Sequence, residues 1–141
     1  MSMHKNELTL RALFDRVWNS NDLDAIDELI ADSYTVYSDP GDPWDGQTLT
    51  REGFRERVVI SRSPFPDLTF EVGIMVPGED HVAVSWVMRG TNTGPIGEVP
   101  PTGKAIEAKG LTIYHFQGGL ISGHTQVSDR LAVMMQLGLL S

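Results

Sequence analysis

Asp129 is the residue of this chain whose type and context best suit it to chemistry. It closes the run LISGHTQVSD (120–129), which follows the run GLTIYHFQ (110–117) across the pair Gly118-Gly119. Two runs of strand composition around two glycines predict a hairpin with a two-residue turn, because both glycines can adopt positive φ without steric cost. That turn sets Gln117 opposite Leu120, Tyr114 opposite Gly123, Thr112 opposite Thr125 and Ala108 opposite Asp129. Side chains alternate across a sheet, so one face carries Thr112, Tyr114, Phe116, Ile121, Thr125, Val127 and Asp129. The other carries Leu111, Ile113, His115, Ser122, His124, Gln126 and Ser128. The first face is apolar along most of its length and ends in a carboxylate, which is how a pocket with a base at one end reads in sequence.

A carboxylate in such a place can take a proton from carbon beside a carbonyl if burial raises its pKa from the ~3.9 of a free Asp toward neutrality. A Tyr or His would then hydrogen-bond the developing enolate oxygen, whose charge exists mainly in the transition state. Asp129 also directly precedes the last helical segment and suits its N-cap, and one carboxylate can serve both ends. His115 and His124 share the opposite face in this register, so either a bulge re-aims one of them or neither touches Asp129. His4 and His81 read as terminus and turn residues. Four scattered histidines without an i, i+4 pair, in a chain without cysteine, predict no metal site. Asp39, Asp42 and Asp45 lie in a Pro and Gly loop and read as solvating it.

The elements that must position these groups follow from periodicity. Leu10, Leu13, Phe14, Val17 and Trp18 recur at helical spacing between Lys5 and Asn19. Asp22 is suited to cap a second helix with Leu23, Ile26, Leu29 and Ile30 inward. Residues 34–38 read as a short strand and Asp39 to Gly46 as a loop; Thr50 can cap a third helix over Arg51 to Arg62. From Leu68 the period becomes two. Leu68, Phe70, Val72, Ile74 and Val76 share a face, as do Val82, Val84, Trp86 and Met88 beyond a Pro77-Gly78 turn. Gly90 to Lys104 is a long loop in which Asn92 shapes a tight turn or reaches the pocket mouth. A strand from about Ala105 leads into the final hairpin, and a helix from Arg130 ends at Gly138. Segregated elements of this kind predict an α+β fold, helices against one face of a curved antiparallel sheet.

At 141 residues, with 40% apolar and 21% charged residues, the chain is expected to be a single domain over 1–141 with one substantial core. Nineteen acidic residues against eleven Lys and Arg give a net charge of −8, which argues against nucleic acid as a partner. No apolar run is long enough to span a bilayer, and the start MSMHKNE lacks the apolar centre of a secretory signal, so no membrane partner and a cytoplasmic location are expected. Leu111 and Ile113, turned away from the presumed pocket, would expose an apolar strip; a homodimer is expected to cover it.

Six segments together resemble the SnoaL-like polyketide cyclase family, within the α+β cone superfamily of cystatin-like fold that includes ketosteroid isomerases. They are FDRVWNSNDLDAIDELIADSY (14–34), FPDLTFEV (65–72), HVAVSWVMRGTNTG (81–94), PPTGK (100–104), YHFQGGLISGH (114–124) and VSDRLAVMMQLG (127–138), nearly the whole chain in order and spacing. The resemblance implies a conical pocket between sheet and helices and an intramolecular aldol cyclisation of a polyketide ester, without metal or organic cofactor. It implies a hydrophobic, carbonyl-bearing small molecule as substrate. Asp129 matches the family's catalytic aspartate, and His115 or His124 its partner histidine. The pocket wall expected on this basis comprises Phe14, Trp18, Tyr34, Tyr37, Trp86, Met88, Asn92, Tyr114 and Thr125. Two departures stand out: Tyr37, in YSDP, occupies a position where the family often has histidine, and His124-Thr125-Gln126 replaces a frequent His-Trp-Asp. The alternative is a non-catalytic binder of apolar ligands, or an accessory, hydroxylase-associated member of polyketide tailoring.

Overall fold

The computed structural model describes residues 2–140. Helix α1 (Ser2–Ala12) runs on into a π-helical turn, Leu13–Trp18, closed by the Asn19 N–H on Phe14 O at 2.8 Å. Its apolar stripe of Leu10, Leu13, Phe14, Val17 and Trp18 is buried, as the helical spacing predicts. Asp22 makes no side-chain cap; its carboxylate accepts from Arg16 at 3.3 Å instead. A single 3₁₀ turn, Leu23–Ala25, leads into the short α2 (Ile26–Leu29), and Ile30, expected on that helix, already opens strand β1 (Ile30–Ser38). A two-residue strand, β2 (Thr48–Leu49), precedes α3 (Arg51–Arg62), whose N-cap is Thr50: its Oγ1 accepts the Gly53 N–H at 3.0 Å.

The remaining strands are β3 (Thr69–Pro77), β4 (His81–Thr91), β5 (Ala105–Gln117) and β6 (Leu120–Ser128), followed by α4 (Arg130–Gln136). Among the described residues, six strands form one curved sheet in the order β2-β1-β6-β5-β4-β3, antiparallel except where β1 runs parallel to β6. The helices pack on its concave face, and the core between them is built from α1, α3 and the inward residues of every long strand. The fold class is the α+β arrangement that the element order predicts, closed into the cone that the family resemblance implies.

Two bulges decide which residues face inward. In β6, Phe116 pairs with Ile121 but His115 pairs with Gly123, which leaves Ser122 as the extra residue. Downstream of it Tyr114 faces His124 and Thr112 faces Gln126, one residue away from the register expected from the turn. A one-residue slip inverts the face of every later residue. His124 therefore turns inward with Tyr114 and Thr112, while Thr125 and Val127 turn outward with Ile113 and Leu111. β3 repeats the device between Val72 and Met75, and Ser85 Oγ accepts the freed Ile74 N–H at 2.8 Å. Phe70 and Val72 stay against the core, whereas Ile74 and Val76, expected on the same face, are exposed.

Gly123 is fixed by close approach. A Cβ there would lie 2.5 Å from Thr35 O and 2.7 Å from the Tyr37 ring, so the parallel seating of β1 on β6 requires its absence. Gly110 gives way to the Trp86 indole in the same manner, with a Cβ placed 2.1 Å from the ring.

Candidate active site

Between the concave face and the helices lies a cavity of about 510 Å³. Trp18, Phe54, Trp86, Met88 and Tyr114 supply much of its apolar wall; Gly41 to Trp44, from the loop after β1, and Val133 and Met134 of α4 form its mouth. A polar chain crosses this wall. The Trp86 indole N–H donates to Thr112 Oγ1 at 2.8 Å, Thr112 donates to Gln126 Oε1 at 2.8 Å, and Gln126 Nε2 donates to Asp39 Oδ2 at 3.2 Å. The same Asp39 oxygen lies 2.9 Å from His124 Nε2, and His124 Nδ1 lies 2.5 Å from the Tyr34 hydroxyl.

Asp39 is fully buried at the end of β1, with its own N–H held by Asp45 Oδ1 at 2.8 Å. Asp42 Oδ1 accepts the Trp44 N–H at 2.8 Å, a local turn bond that winds the loop back over the cavity. Arg57, from α3, reaches both carboxylates through Nη2, at 3.4 Å from Asp39 and 2.9 Å from Asp42. Burial acts to raise the Asp39 pKa, but the His124 N–H and the charges of His124, Arg57 and Arg130 outweigh it and hold the group below its ordinary value. Asp39 is thus a carboxylate at neutral pH. His124, 2% exposed, is held below its ordinary value by burial, against the opposing pull of Asp39. A neutral imidazole beside a carboxylate places its proton on Nε2 toward Asp39 and leaves Nδ1 to accept from Tyr34. Burial raises the Tyr34 and Tyr114 phenols, so both keep their protons. Among the described residues no three His, Asp or Glu side chains are grouped to hold a metal ion.

Asp129 occupies a different environment from the one expected. It is exposed at the cavity rim, and its Oδ1 accepts the Ala132 N–H at 3.0 Å as the N-cap of α4. The carboxylate that burial and hydrogen bonding bring to the histidine is Asp39, which the Pro and Gly content of its loop suggested was merely solvating. His115 lies on the convex face: its ring is 4.4 Å from the Tyr37 ring and 4.5 Å from the His81 ring, and its Nε2 is 3.4 Å from Thr125 Oγ1. Tyr37, which alternates with the inward Val36 on β1, and Thr125, turned by the β6 bulge, lie outside the cavity with it. Asn92 is buried but points into its own loop, donating to Pro64 O and Gly94 O and accepting from the Thr102 N–H and hydroxyl. Phe14 is core behind the wall, edge-on to Tyr114 and Phe70. Trp18, Tyr34, Trp86, Met88, Tyr114 and His124 line the cavity.

Periodicity did not point to Asp39, Arg57, Trp44, Gln126 or Arg130. One trace of them was visible: the Asp of an Asp-Pro pair directly after a strand, beside the departure at Tyr37.

The model of the SnoaL-like polyketide cyclase family matches residues 8–137. The chain belongs to that family. Among solved structures it is similar to a candidate polyketide cyclase from Acidithiobacillus ferrooxidans, at 38% identity over 97% of this chain and 96% of that one, with a TM-score of 0.90. It is also similar to IdmH, a candidate polyketide cyclase from Streptomyces antibioticus, at 33% identity over 94% and 98% and a TM-score of 0.81. AclR, a candidate hydroxylase from Streptomyces galilaeus, shares the fold at 22% identity over 99% of both chains and a TM-score of 0.81. A comparison with curated proteins gives no match. Among the described residues of this SnoaL-like chain, no helix is long and apolar enough to cross a membrane.

Proposed function

We propose that the chain is an acid–base cyclase acting on a hydrophobic, carbonyl-bearing small molecule, with His124 rather than Asp129 as the proton acceptor. The observation that carries this is the line Asp39–His124–Tyr34, bonded at 2.9 and 2.5 Å and set in the wall of a mostly apolar cavity. The base needed beside a carbonyl must be unprotonated at neutral pH, and burial, by holding the His124 pKa down, keeps this imidazole neutral there. The Tyr34 oxygen takes the proton from carbon as its own proton passes to His124 Nδ1. The C–H electron pair moves into the carbonyl to give an enolate. Imidazolium then forms opposite the Asp39 carboxylate, which offsets its charge. Tyr114, its ring 6.0 Å from that of His124, is placed to donate to the enolate oxygen. The enolate carbon attacks a second carbonyl of the same molecule, and the new alkoxide recovers the proton from His124 through Tyr34. Only protons and electron pairs move, so the scheme calls for no cofactor.

A second reading, a binder of apolar ligands without turnover, is favoured by Gln126, which stands in the polar line where related chains often carry an acid. Incubation with an aryl-substituted β-keto ester in deuterated water separates them. Exchange of the α-proton catalysed by the protein supports the cyclase reading, whereas tight binding without exchange supports the second.

A further inference from the structure

Arg130 follows the α4 cap and its side chain is 43% exposed, yet it does not run out into solvent. It lies back across the loop after β1. Its Nε donates to Pro40 O at 2.9 Å, and its Nη2 donates to Asp39 Oδ1 at 3.3 Å and lies 3.6 Å from Asp42 Oδ2. Gly41 makes the crossing feasible. Its φ is +89°, and a Cβ there would sit 2.6 Å from Arg130 Cδ.

The two oxygens of Asp39 are thereby divided. Oδ2 receives His124, Gln126 and Arg57, and Oδ1 receives Arg130. The terminal torsion of an aspartate is broad and roughly two-fold, so partners on one oxygen alone leave its plane weakly set. Water screens the Arg130 side of this pair while Asp39 is fully buried, so charge is one part of what Arg130 supplies and orientation is the other. A planar guanidinium donating from two nitrogens sets direction as well as charge.

We propose that Arg130 is a positioning residue: by crossing Gly41 and gripping Asp39 Oδ1, it fixes the carboxylate plane that directs Oδ2 at His124 Nε2. The α4 helix thus contributes to the site by orienting the carboxylate behind the histidine, while its neighbour Asp129 caps the helix that carries Arg130. The catalytic weight of this arrangement rests on the proposed role of His124, but its physical readout does not. His124 is faced by Tyr34 of β1, Asp39 and Asp42 of the loop, Arg57 of α3, and Tyr114 of β5, with His115 on the far side of the sheet. Changes at Arg130 reach it through Asp39.

The test is nitrogen-15 NMR of the histidine rings in the full chain, titrated with pH. Wild type is expected to show His124 with its proton on Nε2. Arg130→Gln should mix the tautomers and move the His124 midpoint upward by roughly half a pH unit or more, since the Asp39 charge facing the imidazole loses one of its compensating cations and its fixed plane. Gly41→Ala should mix the tautomers with Arg130 still present, because the added Cβ displaces its side chain. Arg130→Lys should recover the midpoint more than the tautomer, having the charge without the fork. Folded Arg130→Gln and Gly41→Ala proteins with an unchanged tautomer would overturn the proposal, and either variant alone suffices if the other does not fold. Loss of the catalytic reading would appear separately, as α-proton exchange that survives His124→Gln.

Discussion

His124 and Asp39, 85 residues apart in sequence, meet at 2.9 Å between Nε2 and Oδ2 inside the cone. Their meeting depends on β1 lying parallel to β6 and on the Ser122 bulge, which turns the histidine toward β1's end. A buried carboxylate without partners would be unstable, so the histidine, Gln126, Arg57 and Arg130 around Asp39 form one interdependent group.

Asp129, by this account, stabilises a helix. Asp129→Ala should cost about 1 kcal/mol, the ordinary value of an N-cap, measured by urea denaturation. Catalysis should fall only a few-fold, as far as the mouth helix frays.

Acid should weaken the fold before ordinary carboxylates titrate. The folded pKa of His124 is depressed, so the unfolded chain binds its proton first as pH falls. Its contribution is fully present above the unfolded value of about 6.5 and is lost as pH drops from there toward the folded value. Asp39, also depressed, contributes above about 3.8 and is lost as pH falls through its lower folded value. Melting temperature against pH should fall in two stages, and His124→Gln should shrink the first to the share of His115, whose pKa burial also lowers.

Much of the fold was legible in the chain and part of the site was not, for a shared reason. The α1 stripe, the Thr50 cap and the Gly118-Gly119 turn are local signals and formed where they were read, whereas the strand alternation located the late strands without fixing every face, as the exposed Ile74 and Val76 show. The bulge at Ser122 has no comparable local mark. Gly123 hints at it, but what fills the space a Cβ there would need is the Thr35 carbonyl and the Tyr37 ring of the distant strand β1. One slipped residue exchanged His124 for Thr125 in the wall and put Asp129 out of register. Asp39 was hidden by the same kind of long-range cause: a Pro and Gly loop usually solvates its acids, and it takes Arg57, Arg130, His124 and Gln126 from three other elements to make burial of this one tolerable.

Asn92 should matter for the loop and not for chemistry. Its side chain makes four hydrogen bonds, to Pro64, Gly94 and twice to Thr102. Asn92→Ala should cost about 2–3 kcal/mol by leaving buried groups unpaired, and amide exchange should quicken across residues 93–103.

We predict a homodimer through the convex face, where Leu111, Ile113 and Val127 lie together, all exposed. Sedimentation should give a dimer at micromolar concentration and a monomer for Leu111→Glu. A wild-type protein that stays monomeric there would contradict this.

The α-proton exchange of an aryl β-keto ester in deuterated water, compared between His124→Gln and Asp129→Asn, bears most directly on the identity of the base. His124→Gln should slow exchange by about 10²–10⁴-fold, the usual yield of a positioned base, while Asp129→Asn stays within a few-fold of wild type. Exchange that persists in His124→Gln and vanishes in Asp129→Asn would contradict the account.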